Sequence, residues 1–151
     1  MKRAFISVHV RAFSHATEDL EKVLMAVRNV AGDVDLESKK TEGHHGNPLI
    51  VIEGSSTGSD SAEKLLARLN DHDLREIADT AEQRIDDSCN LFLRLDKQRA
   101  YAGEPALTGS DDAVSVRIKV SAFPARAETA VLIVGEYIAD LLVGRANPPP
   151  K

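Results

Sequence analysis

The chain has 151 residues, one cysteine and a formal net charge of −5, with 42% hydrophobic and 28% charged residues. This length suits one domain with its own core, and the composition excludes a disordered or disulfide-held chain. The lone cysteine and the lack of a signal-peptide pattern predict an intracellular, cytoplasmic protein. No apolar run approaches the ~20 residues that span a bilayer, so no membrane role is expected.

The first predicted elements are a strand and a helix. Apolar and polar residues alternate over residues 4–13, which is the period of a half-buried strand. Thr17 is the predicted N-cap of the helix, and an apolar stripe with helical spacing follows it. Gly32 is expected to end this helix.

A hairpin and two helices are predicted next. Residues 34–41 and 48–53 flank turn-forming residues, and residues 54–59 contain too few apolar side chains to pack, which predicts a loop. Two helices follow. Their apolar sides contain Leu65, Leu66 and Leu69 in the first and Leu74, Ile77, Ala78, Ala81 and Ile85 in the second, which Asp71 or Asp73 is expected to cap.

The last third is predicted to contain two strands and a helix. Residues 91–95 and 114–120 alternate as strands, the segment 96–112 between them is expected to be a long loop, and Pro124 is expected to open the final helix.

This order of elements predicts an α+β fold, with a mostly antiparallel sheet and helices packed on one face. Residues 1–146 are expected to form a single domain, and residues 147–151 a flexible, proline-rich tail.

Basic residues fall on the polar side of the predicted strands. Arg11, Arg94, Arg117 and Lys119 should project from one surface while most acidic residues lie on the helices. Such segregation would let the protein hold a phosphate backbone despite its net negative charge. The alternative is that these side chains are only solvated residues that protect strand edges.

Three phenylalanines occupy strand positions whose side chains are expected to point outward, on the same side as the basic residues. The rings of Phe5, Phe13 and Phe92 are placed where they could stack on bases. They could equally fill a second core or a dimer interface.

Two further segments are candidate contacts. Lys97, Gln98 and Arg99 follow a predicted strand and carry local positive charge and a base-reading amide, or else only cap the strand end. His44 and His45 lie between glycines in the predicted turn, where imidazoles could bind phosphate or 2′-hydroxyl groups. Adjacent histidines are a poor metal pair, so neither a metal nor a cofactor is expected.

Cys89 is expected to pack as a small apolar residue, and no base for a nucleophile is evident. The sequence also has no phosphate-binding glycine-rich motif and no serine-centred elbow.

Residues 13–19, 43–48, 94–100 and 103–104 together resemble the signature of an archaeal family of predicted RNA-binding proteins, associated with the exosome or ribonuclease P. The resemblance implies a fold similar to that of the ribosomal protein that binds 5S rRNA, often as a dimer. It suggests contacts from these residues: His44, His45, Arg94, Lys97, Gln98 and Arg99.

The favoured hypothesis is therefore a non-catalytic RNA-binding protein, a homodimer that acts as an accessory factor in archaeal RNA processing or ribosome-related assembly. The alternative is a structural or adaptor protein that uses the sheet face for dimerisation or for a protein partner. A third hypothesis is a nuclease with His44 or His45 as its acid–base group.

Overall fold

A computed structural model describes residues 4–32, 34–42, 46 and 48–146. Its strands are β1 (Phe5–His15), β2 (Leu36–Glu42), β3 (Pro48–Thr57), β4 (Asn90–Leu95) and β5 (Val114–Val120). They form one antiparallel sheet in the order β2-β3-β1-β5-β4. The central strand β1 is therefore paired on both sides.

The helices of the described chain pack on one face of this sheet. They are α1 (Leu20–Ala31), α2 (Asp60–Arg68), α3 (Asp71–Asp79), α4 (Ala81–Arg84), α5 (Lys97–Tyr101) and α6 (Ala127–Ala146). Helices α1 and α2 contact β1, α4 contacts β4 and α6 contacts β5. The predicted α+β class, with helices on one side of an antiparallel sheet, is confirmed. Within the described ranges, no helix combines the length and apolar character needed to cross a bilayer.

The core lies between the sheet and this helical layer. Every second residue of β1, β5 and β4 points into it, because successive side chains of a strand face opposite sides. Val10, Ile118 and Leu91 are buried on the sheet side, and Leu66 and Ile77 meet them from the helices. The opposite face of the sheet is the open face, and it carries the alternate residues.

Phe5 does not lie on the open face, so its predicted orientation is wrong. The pairing of β1 with β5 shifts register between Phe5 and Ser7, which leaves Ile6 as an extra residue. The shift turns Phe5 inward, where it is 2% exposed and meets the ring of Tyr137 edge-on, with ring centroids 5.0 Å apart.

Several predicted boundaries also differ from the structure. Residues 54–57 are not a loop but the end of β3, because their backbone pairs with residues 7–10 of β1. Helix α5 lies inside the predicted long loop, and α6 begins at Ala127 rather than at Pro124. Asp19 and Asn70 are the capping residues of α1 and α3, and each accepts a hydrogen bond from a backbone N–H of its helix: Glu21 N and Asp73 N.

Candidate functional site

Residues that pair directly across neighbouring strands point to the same side of the sheet, so the pairing shows which side chains lie together on the open face. Two rows of them cross its centre. One row contains Ser55, His9, Arg117 and Phe92, and the next contains Glu53, Arg11, Ser115 and Arg94. Beside the first row lie Thr57, Ser7, Lys119 and Asn90. The structure therefore brings the predicted Arg11, Arg94, Arg117 and Lys119 onto one surface.

Two of these cations already have carboxylate partners. Arg11 Nε lies 3.2 Å from Glu53 Oε1, and Arg94 Nη1 lies 2.8 Å from Asp111 Oδ1. All four side chains are exposed, and exposed ion pairs contribute only about 0–1 kcal/mol. The pairs nevertheless reduce the positive potential at Arg11 and Arg94, so the predicted charge segregation holds only in part.

Arg117 and Lys119 form no comparable ion pair with a carboxylate of the described residues. Across the described ranges, neither side chain lies within ion-pair distance of a carboxylate. The Arg117 side chain is exposed, and the ammonium of Lys119 donates to the carbonyl oxygen of Ser88. This corner of the open face therefore keeps two cations outside ion pairs with the described carboxylates.

A turn before β4 positions the partner of Lys119. Asp86 Oδ1 accepts hydrogen bonds from the backbone N–H groups of Ser88 at 3.0 Å and Asn90 at 2.9 Å. The Asn90 backbone hydrogen bond is the main reason that the pKa of Asp86 lies below its ordinary value, and the nearby charge of Lys119 adds to the effect. The turn therefore fixes the Ser88 carbonyl that holds Lys119.

A cavity of about 460 Å³ opens at this corner. His9 and Ser55 stand on one side of it, with Nδ1 of the imidazole 2.9 Å from the serine Oγ, and Arg117 and Lys119 stand on the other. The hydroxyl groups of Ser7 and Thr57 and the amide of Asn90 complete its polar lining. Hydroxyl, amide, imidazole and cationic donors in one concave site favour an anionic ligand that also accepts hydrogen bonds.

Two phenylalanines lie on the open face, as their parity predicts. Phe92 is 45% exposed and stands directly opposite Arg117. Phe13 is half-buried under the guanidinium of Arg11, which lies 5.0 Å from its ring centroid. Of the two rings, Phe92 has the more accessible surface for stacking.

Lys97 is buried rather than presented to solvent. Its ammonium lies 2.5 Å from the carbonyl oxygen of Phe13, 2.6 Å from Asp112 Oδ1 and 3.1 Å from Glu18 Oε1. These contacts satisfy all three donors of the ammonium group. The structure therefore gives Lys97 a structural role and does not favour its use as a phosphate contact.

The two carboxylates around Lys97 belong, with His15, to the one group of possible metal ligands found in the described ranges. One ligand atom each of His15, Glu18 and Asp112 lies within 4.8 Å of the others. The Lys97 ammonium already supplies positive charge to two of them. Partial burial would raise the pKa of Asp112, but the hydrogen bond and charge of Lys97, with help from His15, hold it below its ordinary value. The group therefore forms an ion-pair cluster around the Lys97 ammonium.

Gln98 and Arg99 lie on α5, away from the open face. Gln98 lines a cavity of about 440 Å³ between α1 and α5, together with the carboxylates of Glu18 and Asp19. Arg99 is exposed on the same short helix. The structure does not join either residue to the four open-face cations. His44 and His45 lie outside the described residues.

The hydroxyl groups that line the cavity are not among the predicted site residues. Ser7, Ser55 and Thr57 carry no motif, and Ser55 and Thr57 belong to a stretch with the composition of a loop. One sequence signal could have found two of them: Ser55 and Thr57 alternate with Gly54 and Ser56 at the end of β3, as side chains on one face of a strand do.

Comparisons with known proteins show which family the chain is similar to. A family model described as RNA binding matches residues 7–120. A Pyrococcus abyssi protein named RNA-binding protein PAB1135 is 36% identical over 142 residues, covering 87% of this chain and 92% of the relative. An uncharacterized protein of Methanocaldococcus jannaschii, MJ0213, is 32% identical over 120 residues, covering 72% of this chain and 79% of the relative.

A solved structure shows the same fold. Mth689, a DUF54 protein from Methanothermobacter thermautotrophicus, superposes with a TM-score of 0.77 at 35% identity, covering 92% of this chain and 98% of that protein.

Proposed function

Because the chain belongs to the RNA-binding family whose model covers residues 7–120, we propose that it binds RNA through the open face of its sheet as a non-catalytic accessory factor. The observation that carries this proposal is the pair Arg117 and Lys119, two cations without a carboxylate partner in the described chain, beside an exposed phenylalanine.

The proposed contacts are phosphate contacts from Arg11, Arg94, Arg117 and Lys119. Lysine and arginine neutralise phosphates and release counterions, so affinity depends steeply on salt. Arg11 and Arg94 must exchange or share their carboxylate partners on binding, whereas Arg117 has no ion-paired carboxylate to exchange among the described residues. With a net charge of −5, the protein is expected to bind structured RNA weakly and in a strongly salt-sensitive way.

The salt dependence of RNA affinity tests this proposal. Each open-face cation that is changed to alanine should flatten the log–log salt slope by about 0.7 to 0.9 per lost phosphate contact. Arg28→Ala and Arg75→Ala are matched controls, because both side chains are exposed on the helical layer. The proposal fails if the wild type binds no RNA, or if the control variants flatten the slope as much as the open-face variants.

The proposed role is accessory, in archaeal RNA processing or ribosome-related assembly. The relatives described above come from archaea, and the motif resemblance points to assemblies such as the exosome or ribonuclease P and to the 5S-rRNA-binding protein fold. Co-purification of the tagged protein with RNA-processing subunits, before and after ribonuclease treatment, tests the assembly. A cytoplasmic location is part of the proposal, since the one cysteine is free and buried.

The proposal excludes RNA cleavage by the chain. Labelled RNA incubated with the purified protein is expected to stay intact, with His44→Ala and His45→Ala indistinguishable from the wild type. Cleavage by the wild type that the double variant abolishes would favour a nuclease instead.

A homodimer or adaptor role is the second candidate, and α6 favours it. This helix exposes Leu132 at 65% and Val143 at 60%, and Phe123 just before it is 87% exposed. Exposed large apolar side chains on one element are typical of a protein interface. Light scattering tests the homodimer: a dimeric wild type that Leu132→Asp converts to a monomer supports it, and a monomeric wild type argues against it.

A further inference from the structure

The cavity beside Arg117 differs in both charge and shape from the part of the open face around Arg11 and Arg94. At Arg11 and Arg94 the surface carries cations that are already paired with carboxylates. At Arg117 and Lys119 it carries available cations at the edge of a concave site of about 460 Å³. That volume falls within the roughly 300–1,000 Å³ of pockets that enclose small ligands, whereas a duplex backbone needs only a broad surface.

An aromatic ring stands beside these cations. Phe92 lies directly across from Arg117, and Lys119 lies two residues further along the same face of β5. Neighbouring strands are about 4.8 Å apart, and alternate residues of one strand are about 7 Å apart. The exposed ring and the two cations therefore lie within the span of one nucleotide.

From this arrangement we infer that the cavity holds the phosphate and ribose of one unpaired nucleotide of the bound RNA, with the phosphate at Arg117 and Lys119, and that its base stacks on Phe92 beside the cavity. This inference rests on the proposed RNA binding and adds to it a preference for unpaired segments over continuous duplex. A base inside a duplex is stacked on its neighbours, and it cannot reach a protein ring without leaving the helix.

The hydroxyl groups of the cavity suit the same ligand. The Ser55 hydroxyl contacts the His9 ring, and the hydroxyls of Ser7 and Thr57 are close by in the lining. Such groups donate to and accept from phosphate and ribose oxygens without reading base sequence. The site is therefore expected to discriminate weakly among bases.

Binding of a labelled oligouridine of about 12 nucleotides, alone and annealed to its oligoadenosine complement, tests the inference. Phe92→Leu keeps an apolar side chain but removes the ring. It should weaken binding of the single strand roughly tenfold, leave the salt slope unchanged and leave duplex binding unchanged. Phe123→Leu is the matched control, because Phe123 is 87% exposed but lies outside the strands.

Arg117→Ala tests the phosphate end of the same site. It should flatten the salt slope for the single strand by about 0.7, which the control Arg28→Ala should not do. Both open-face substitutions are at exposed positions, so circular dichroism is expected to show wild-type folding.

The outcomes separate this inference from the proposed function. If the wild type binds RNA but Phe92→Leu acts like Phe123→Leu, or weakens single strand and duplex equally, the nucleotide site is overturned while RNA binding stands. If the wild type binds neither RNA, both are overturned.

Discussion

The Nζ atom of Lys97 lies 2.6 Å from Oδ1 of Asp112, and this contact joins the start of α5 to the segment before β5. The same ammonium reaches the carbonyl oxygen of Phe13 and the carboxylate of Glu18. One buried cation thus ties the end of β1, the turn before α1 and the segment before β5 together. In the sequence Lys97 looks like part of a basic surface cluster, but its position is that of a structural ion pair.

We expect Lys97→Met to destabilise the fold by about 2 to 3 kcal/mol. Loss of one partner of a buried pair costs about 3–5 kcal/mol, and the partial exposure of Glu18 and Asp112 reduces this figure. The free energy of unfolding in urea measures the effect. Arg99→Ala alters an exposed side chain two residues further along, and it should change the free energy of unfolding by less than about 0.5 kcal/mol. Equal stability of the two variants would contradict the structural role of Lys97.

The low pKa of Asp112 predicts a pH dependence of stability. A carboxyl group whose pKa is lower in the folded than in the unfolded state stabilises the fold at pH values above its unfolded pKa, which is 3.8 for this aspartate. This contribution to stability is lost as the pH falls through the lower pKa of the folded state. Asp112→Asn should therefore reduce stability at neutral pH and flatten the loss of stability below about pH 4. Urea unfolding between neutral and acidic pH measures both effects.

Asp111→Asn is the control for this pH dependence, because the Asp111 side chain is 96% exposed and contacts only Arg94 among the described residues. Its unfolding profile should follow that of the wild type. If Asp112→Asn does so as well, the cluster around Lys97 does not contribute to acid stability.

Asp111→Asn should also strengthen RNA binding. The substitution releases Arg94 from its 2.8 Å ion pair and leaves its full charge available to a phosphate. An exposed pair is worth about 0.2–1 kcal/mol, so affinity should rise by a factor of about 1.4 to 5 and the salt slope should become steeper. Glu82→Gln makes the same change of charge on α4, away from the open face. An equal gain with Glu82→Gln would indicate an effect of net charge alone.

Gly54→Ala should destabilise the β2–β3 side of the sheet by about 1 to 3 kcal/mol. A Cβ atom at this position would lie 2.6 Å from Leu36 Cδ2 and 3.2 Å from the carbonyl oxygen of Asp35, so the Leu36 side chain must shift and the backbone at Asp35 must give by a few tenths of an ångström. Thermal and urea unfolding measure the loss. Gly109→Ala, where a Cβ meets nothing within 4 Å, should leave stability nearly unchanged. A tolerated Gly54→Ala would mean that Leu36 repacks around the new methyl group at little cost.

Local patterns predicted the parts of the site that depend on one strand at a time. Alternation placed Arg11, Arg94, Arg117 and Lys119 on the same side of their strands, and the structure brings all four to the open face. Such a prediction works because the side chains of a strand alternate whatever its neighbours are. It fails at Phe5, where one extra residue in β1 reverses the parity.

The amino-acid sequence by itself determined the fold class and the outward parity of the open-face cations, because both follow from periodicities of two and 3.6 residues. Only the tertiary structure decided which cations are available. Glu53, Asp111 and Asp112 reach their partners through strand register and loop packing, and burial of Lys97 depends on groups up to 84 residues away. Pairing and burial are long-range properties, so spacing along the chain does not contain them.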